Sequence, residues 1–208
     1  FVGISPLARV VAVLTVHPSL PARSVQEFIA LAKQRPQLIL HGHSGYGSFT
    51  HLNGVLFESR AGIRMTHVPF KGGGPAVIAL VSGETQAQVA AIGELIGHIK
   101  TNRVRALGVT SKERIAQLPD VPTIGDTIPG YESWTWVSVF APAGTPRAIV
   151  DRLNAEIGKA INDPDVTARL SAQTLDPAHT PPEELAQRLR MDYETIGKLF
   201  REFDVKAE

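Results

Sequence analysis

Three times between Leu38 and Lys100 a short apolar run gives way to a turn of small residues and then to a helical pattern. No other feature limits the chain as much. Strands that alternate with helices form parallel α/β sheets, and ligands of such sheets bind outside the carboxyl ends of the strands. The most informative of the turns is His41-Gly42-His43-Ser44-Gly45-Tyr46-Gly47-Ser48-Phe49-Thr50-His51-Leu52. Residues 38–40 read as a buried strand before it and residues 52–57 as a helix after it. Gly45 and Gly47 let backbone amides turn inward without a Cβ in the way, and Ser48 or Thr50 can cap the helix. Free N–H groups in a helix's first turn, together with its dipole, favour an anion. The turn is therefore a candidate carboxylate site. A capped strand-to-helix loop with no ligand is the plainer reading of the loop taken alone.

Around this stretch the pattern extends in both directions. Residues 10–16 are β-branched and apolar and read as a buried strand. Ser24-Val25-Gln26-Glu27 forms a capping box that opens a helix with Val25, Phe28, Ile29 and Ala32 on one face. Residues 64–68 read as a strand running into the glycine turn Lys71-Gly72-Gly73-Gly74, with Pro75 suited to the first helical position. Residues 85–92 read as a third strand with a small-residue turn at Gly93, and 105–109 as a fourth. The stretch 111–131 has Pro119, Pro122 and Pro129 and little periodicity. A strand is expected at 134–140, followed by a helix with Thr145 as N-cap, a short helix capped by Asp163, and a final helix from about Pro182. The shift toward helix suggests a boundary near Trp134.

Composition narrows the function classes. Lys+Arg 21 against Asp+Glu 20, with no basic block, gives no argument for nucleic acid. Cys is 0, which removes disulfides and thiol nucleophiles. No apolar run approaches the ~20 residues of a membrane helix. The first residue is Phe1 rather than Met, which reads as a leader that is removed or not included. Gly42-His43-Ser44-Gly45-Tyr46 nearly matches the nucleophile elbow G-x-S-x-G, but Tyr46 stands where the last glycine belongs. Lys71 precedes its glycines, so the second turn is no P-loop. His41, His43, His51 and His67 lack an Asp or Glu at a useful sequence spacing, so partly exposed or hydrogen-bonded histidines are expected rather than a metal site. No cofactor is expected. Trp134 and Trp136 read as packing residues, and Glu94 as a charge at a helix N-terminus.

Seven segments taken together carry a resemblance. They are 16–25 (Val-His-Pro-Ser-Leu-Pro-Ala-Arg-Ser-Val), 44–52 (Ser-Gly-Tyr-Gly-Ser leading to His51-Leu52), 67–73 (His-Val-Pro-Phe-Lys-Gly-Gly), 103–111 (Arg-Val-Arg-Ala-Leu-Gly-Val-Thr-Ser), 118–124 (Leu-Pro-Asp-Val-Pro-Thr-Ile), 129–132 (Pro-Gly-Tyr-Glu) and 141–146 (Ala-Pro-Ala-Gly-Thr-Pro). In this order they resemble the Bug, or TctC-like, receptors of tripartite tricarboxylate transporters, which are periplasmic solute-binding proteins of bacteria. The resemblance spans essentially the whole chain.

It implies an α/β, periplasmic-binding-protein-like (type II) clamshell, here with one complete lobe (residues 15–134) and a partial second lobe (1–14 and 135–208). The opening units of that partial lobe, with half of the carboxylate site, are absent. The apolar surface they normally cover is expected to be met by a homodimer partner or a companion fragment. The implied mechanism is binding rather than catalysis. A small carboxylate solute is held in an interlobe cleft, closed by hinges at 15–17 and 134–136, and passed to a membrane permease. Ser44, Gly45, Ser48, Phe49 and Thr50 form the first wall of the implied site, Phe70, Lys71, Gly72 and Gly73 the second, and Ala91, Ile92 and Gly93 the third. Three departures bear on the solute: Phe70 replaces a common Tyr, and Gln86 and Ala90 replace frequent Asp residues. Losing acids there suits an anion, while Glu94 opposes one. A non-binding remnant and a Ser44-dependent hydrolase are the alternatives.

Overall fold

The computed structural model describes residues 1–203, in which strands and helices alternate. In chain order they are β1 (Val2–Val16), α1 (Val25–Gln34), β2 (Leu40–His43), α2 (Phe49–Ala61), β3 (Thr66–Pro69), α3 (Gly73–Ser82), β4 (Ala87–Ala91), α4 (Ile92–Lys100) and β5 (Arg105–Val109). A 3-10 turn (Ile124–Asp126), β6 (Trp134–Ala141), α5 (Arg147–Ile161), α6 (Pro164–Ala172), β7 (Leu175–Pro177) and α7 (Pro182–Glu202) follow.

The described residues divide into two compact units. One joins Phe1–Val10 to Thr135–Lys198; the other joins Val11–Trp134 to the residues from Leu199. Local pairing accounts for where the division falls. Residues 12–16 of β1 pair with β4, and 13–16 with β5, so this half of the strand is built into the second unit's sheet. Residues 8–10 pair instead with β7. At the far end, Ser59 donates to the Glu202 carboxylate, and the Arg64 guanidinium lies 3.9 Å from the centre of the Phe203 ring.

In the second unit the sheet order is β3-β2-β4-β1-β5. β2 is parallel to both β3 and β4, and β1 is antiparallel to β4 and β5. Successive residues of a strand face opposite sides, and the core divides accordingly. Ala12, Leu14 and Val16 of β1 join Val25 and Phe28 of α1 and Phe57 of α2 on one face. Val13 joins Val77 and Leu80 of α3 and Ile92 and Leu95 of α4 on the other. Burial on both faces explains why the β1 pattern reads as one continuous apolar run.

The other unit has a smaller core, in which Ile4, Ala141 and Val150 pack with Val2, Val139 and Ile157. Large apolar side chains stay exposed on it: Val137, Phe140, Ile149, Leu153, Met191 and Tyr193 among them. Trp136 donates through Nε1 to Asp192 at 3.3 Å, and Asp192 also receives the Arg188 Nε–H at 2.8 Å.

Several local expectations shift. The apolar run 38–40 is not the strand: Leu38 is 67% exposed, and the strand lies at Leu40–His43. Thr145 does not cap α5; its hydroxyl donates to the Pro142 carbonyl, and Pro146 stands at the N-cap. Asp163 does cap α6, accepting from the Asp165 and Val166 amides at 2.9 and 3.3 Å. The 3-10 turn inside the stretch without periodicity is closed by a Thr123–Asp126 capping box.

Candidate functional site

Because β3, β2 and β4 are neighbours and parallel, their carboxyl ends lie side by side, and the helices that follow them begin along one edge. α2 begins at Phe49, α3 at Gly73 and α4 at Ile92. The three turns singled out in the sequence are therefore neighbours in space.

The first turn is laced by hydroxyls. Thr50 Oγ1 accepts from the Ser44 amide at 2.8 Å and lies 2.8 Å from Ser44 Oγ and 3.1 Å from Ser48 Oγ. Ser48 Oγ donates to the Gly45 carbonyl at 2.6 Å and caps α2 by accepting from the His51 amide at 3.3 Å. Gly45 at φ 118° and Gly47 at φ 72° make the reversal, which a side chain at either position would strain. The cap leaves the Phe49 and Thr50 amides of the first helical turn without an acceptor among the described residues. Two such donors, aligned with the dipole, make the local field suit an anion. Ser44 makes no hydrogen bond to a histidine, and outside glycine a positive φ occurs among the described residues only at Gln37, Asn102 and Thr174. The strained serine of a nucleophile elbow is therefore not found at Ser44.

The second and third turns have no side-chain caps, since α3 begins after Gly72 and α4 after Ala91. The Phe70 amide donates to the His43 carbonyl at 2.8 Å, which ties the second turn to the first. Lys71 is exposed. Glu94 lies against the start of α3: its Oε2 is 2.7 Å from where a Cβ on Gly73 would stand. Burial pushes the Glu94 carboxyl up from its ordinary value. Ile92 differs from its expected place, because its side chain belongs to the core with Val13 and Leu95, leaving Ala91 and Gly93 at the edge. Gln86 and Ala90 also lie elsewhere. Gln86 accepts from the Leu40 amide at the opposite, amino end of the strands, and Ala90 is core. Neither residue sets the charge of the edge.

Directly under the first turn, four histidines converge. His41 and His43 are fully buried on β2, His51 is buried on α2, and His67 is partly exposed on β3. Partly exposed or hydrogen-bonded histidines are the expectation from sequence: His67 is partly exposed, and the other three are buried and hydrogen-bonded. The acid that sequence spacing did not supply is Glu58, about two turns beyond His51 along α2. Hydrogen bonds define the tautomers. The Val89 amide donates to His41 Nε2 at 3.3 Å, so His41 Nδ1 carries the proton and faces His67 Nδ1 at 3.3 Å. His67 Nε2–H then donates to Glu58 Oε2 at 2.7 Å, and the Met65 amide donates to Oε1 of the same carboxylate. His43 Nδ1–H donates to the Gly45 carbonyl at 2.9 Å, while the Gly47 amide donates to His51 Nδ1 at 3.1 Å. One ring thus holds each glycine of the turn. Burial, reinforced by the neighbouring rings, lowers His41 well below its ordinary value. Burial also lowers His43 to about 4 and His51 to about 3. Gly54 on α2 makes room for the His41 ring, since a Cβ there would stand 2.4 Å from Cε1.

These observations meet the comparisons with known proteins. The tripartite tricarboxylate transporter family receptor profile matches residues 1–204, and the chain belongs to that family. It is 39% identical to the UPF0065 protein in the tcbD-tcbE intergenic region of Pseudomonas sp. (strain P51), over 100% of this chain and 62% of that protein. Its structure is similar to R. palustris Rpa4515 with adipate, with a TM-score of 0.88 and 30% identity, covering 99% of this chain and 69% of that one. It is also similar to MatC (Rpa3494) from Rhodopseudomonas palustris with bound malate, with a TM-score of 0.84 and 28% identity, covering 96% and 69%. The α/β fold is therefore that of the TctC and Bug periplasmic binding proteins. The chain spans less than two thirds of the length of the Pseudomonas relative. Among the described residues no helix is long and apolar enough to cross a membrane.

Proposed function

We propose that this chain serves as a periplasmic receptor that holds a small carboxylate-bearing solute at the edge formed by α2, α3 and α4, for delivery to the permease of a tripartite tricarboxylate transporter. The reading rests above all on the start of α2, where the free Phe49 and Thr50 amides stand beside the hydroxyls of Ser44, Ser48 and Thr50. It agrees with the adipate and malate named for the two similar structures. Ser44, Gly45, Ser48, Phe49 and Thr50 take the carboxylate. Phe70, Gly72, Gly73, Ala91 and Gly93 shape the rest of the edge, and Lys71 adds favourable charge. Glu94 disfavours an anion at α3, which supports α2 as the place for the carboxylate.

A thermal-shift screen against adipate, malate, tricarboxylates, acidic amino acids and aromatic acids tests the reading. A bound solute at 100 times its dissociation constant adds about 2.7 kcal/mol and raises the midpoint. The rise should vanish in Thr50→Ala, because each buried donor left unmet costs ~1–3 kcal/mol. A rise that persists in Thr50→Ala and Ser48→Ala would move the site elsewhere, and none across the panel would remove the reading for this chain.

The exposed apolar set on the unit containing β6 and α7 supports a further part of the reading: a second copy or companion segment covers it. Gel filtration is expected to show a species larger than the 22.4 kDa monomer. A compact, stable monomer would count against that cover.

A further inference from the structure

We propose that His43, His51 and His67 form a binding site for a divalent transition-metal ion beneath the glycine turn. One nitrogen from each ring lies within 4.8 Å of the others. Imidazole nitrogens suit Zn²⁺, Ni²⁺, Co²⁺ and Cu²⁺ rather than Mg²⁺ or Ca²⁺.

Two observations point to a ligand. His43 Nε2 is a buried lone pair without a hydrogen-bond partner among the described residues, because Nδ1–H is committed to the Gly45 carbonyl. In addition, metal-bound histidines ordinarily donate the second ring N–H to a carbonyl or carboxylate. His43 does so to Gly45, and His67 does so to the buried Glu58 carboxylate. The coordinating atoms are thus His43 Nε2 and His67 Nδ1. His51 completes the set through Nε2 after its proton shifts to Nδ1. Binding gives up two long hydrogen bonds, Gly47 to His51 at 3.1 Å and His41 to His67 at 3.3 Å. The rings draw in by about 1 Å to reach metal–nitrogen distances near 2.0–2.1 Å. The partly exposed edge of His67 gives the ion a way in. Because His43 keeps its hydrogen bond to the Gly45 carbonyl when its Nε2 binds, the ion also fixes that side of the turn.

The test uses the whole chain, stripped with a chelator and titrated with Zn²⁺ and, separately, Co²⁺. Saturating Zn²⁺ should raise the thermal midpoint by about 5 °C or more, and Co²⁺ should give the visible absorption bands of a low-coordinate nitrogen site. Both signals should be lost in His43→Ala and kept in His98→Ala, a histidine on α4 outside the cluster. In the wild-type protein, which removes any question of folding, ¹⁵N-histidine NMR should show Zn²⁺ moving the His43 Nε2 resonance. No midpoint change, a signal that survives His43→Ala, or resonance shifts confined to His17, His98 and His179 would overturn the site.

Discussion

Acidifying the metal-free protein from pH 7 toward pH 4 should strip away much of its stability. The responsible groups are His41 and His43 on β2 and His51 on α2, faced by His67 on β3, Glu58 on α2 and Tyr46 on the turn. The folded values of His41, His43 and His51 lie below their ordinary 6.5, with His43 near 4 and His51 near 3. Below about pH 6.5 the unfolded chain binds protons that the folded chain refuses, so stability falls with pH. The contribution is complete above that value and drains away as pH drops through about 4 for His43 and about 3 for His51. Each ring adds a slope of up to about 1.4 kcal/mol per pH unit. Urea unfolding at pH 7, 5.5 and 4.5 in chelator measures this, and His51→Gln should flatten the dependence. Midpoints that do not move between pH 7 and 4.5 would contradict the buried, neutral cluster.

Glu58→Ala should be the most damaging single substitution in the second unit, lowering stability by about 3 kcal/mol. The wild-type carboxylate is 1% exposed and answers two donors, the buried Met65 amide and the Nε2–H of the partly exposed His67. Alanine leaves both unmet and opens a cavity. It also frees His67 to change tautomer, which turns its proton against His41. Glu58→Gln separates charge from hydrogen bonding, because its amide oxygen still accepts one bond while its NH₂ group opposes the other donor. Its loss should fall between those of the wild type and Glu58→Ala. Equal stability of all three in denaturant unfolding would show that the cluster does not depend on this acid.

What the sequence made legible follows the physics of its side chains. Apolar periodicity located β5 at 105–109 and the α1 face at Val25 and Phe28, because aliphatic burial leaves a regular pattern. Cap chemistry located α6 through Asp163. Periodicity misplaced β2, because the strand is Leu-His-Gly-His and histidine reads as polar. Those rings are held by specific partners, Val89, His67 and Gly45, of which only Gly45 is near in sequence. The site divides the same way. The glycine turns and their hydroxyls were visible, since residue type alone implies their chemistry. Glu58 was not, because only the fold of β3 against α2 brings it to His67. Ile92 was misread because a turn residue's neighbours do not reveal which way it faces.

The division of the chain into units also bears on how it is made. A ribosome delivers residues 11–134 as one uninterrupted stretch, with every strand of the five-stranded order among them. The other unit needs its first ten residues and a segment that begins only at Thr135. The N-terminal arm of β1 must therefore wait through synthesis of the entire intervening stretch before β7 arrives to pair with it. Chains emerge at about 5–20 residues per second, so the arm stays without that partner for on the order of ten to thirty seconds. Until β6, which also pairs with β1, and then β7 emerge, the arm offers open strand edges, the kind of surface on which a chaperone or a neighbouring nascent chain acts.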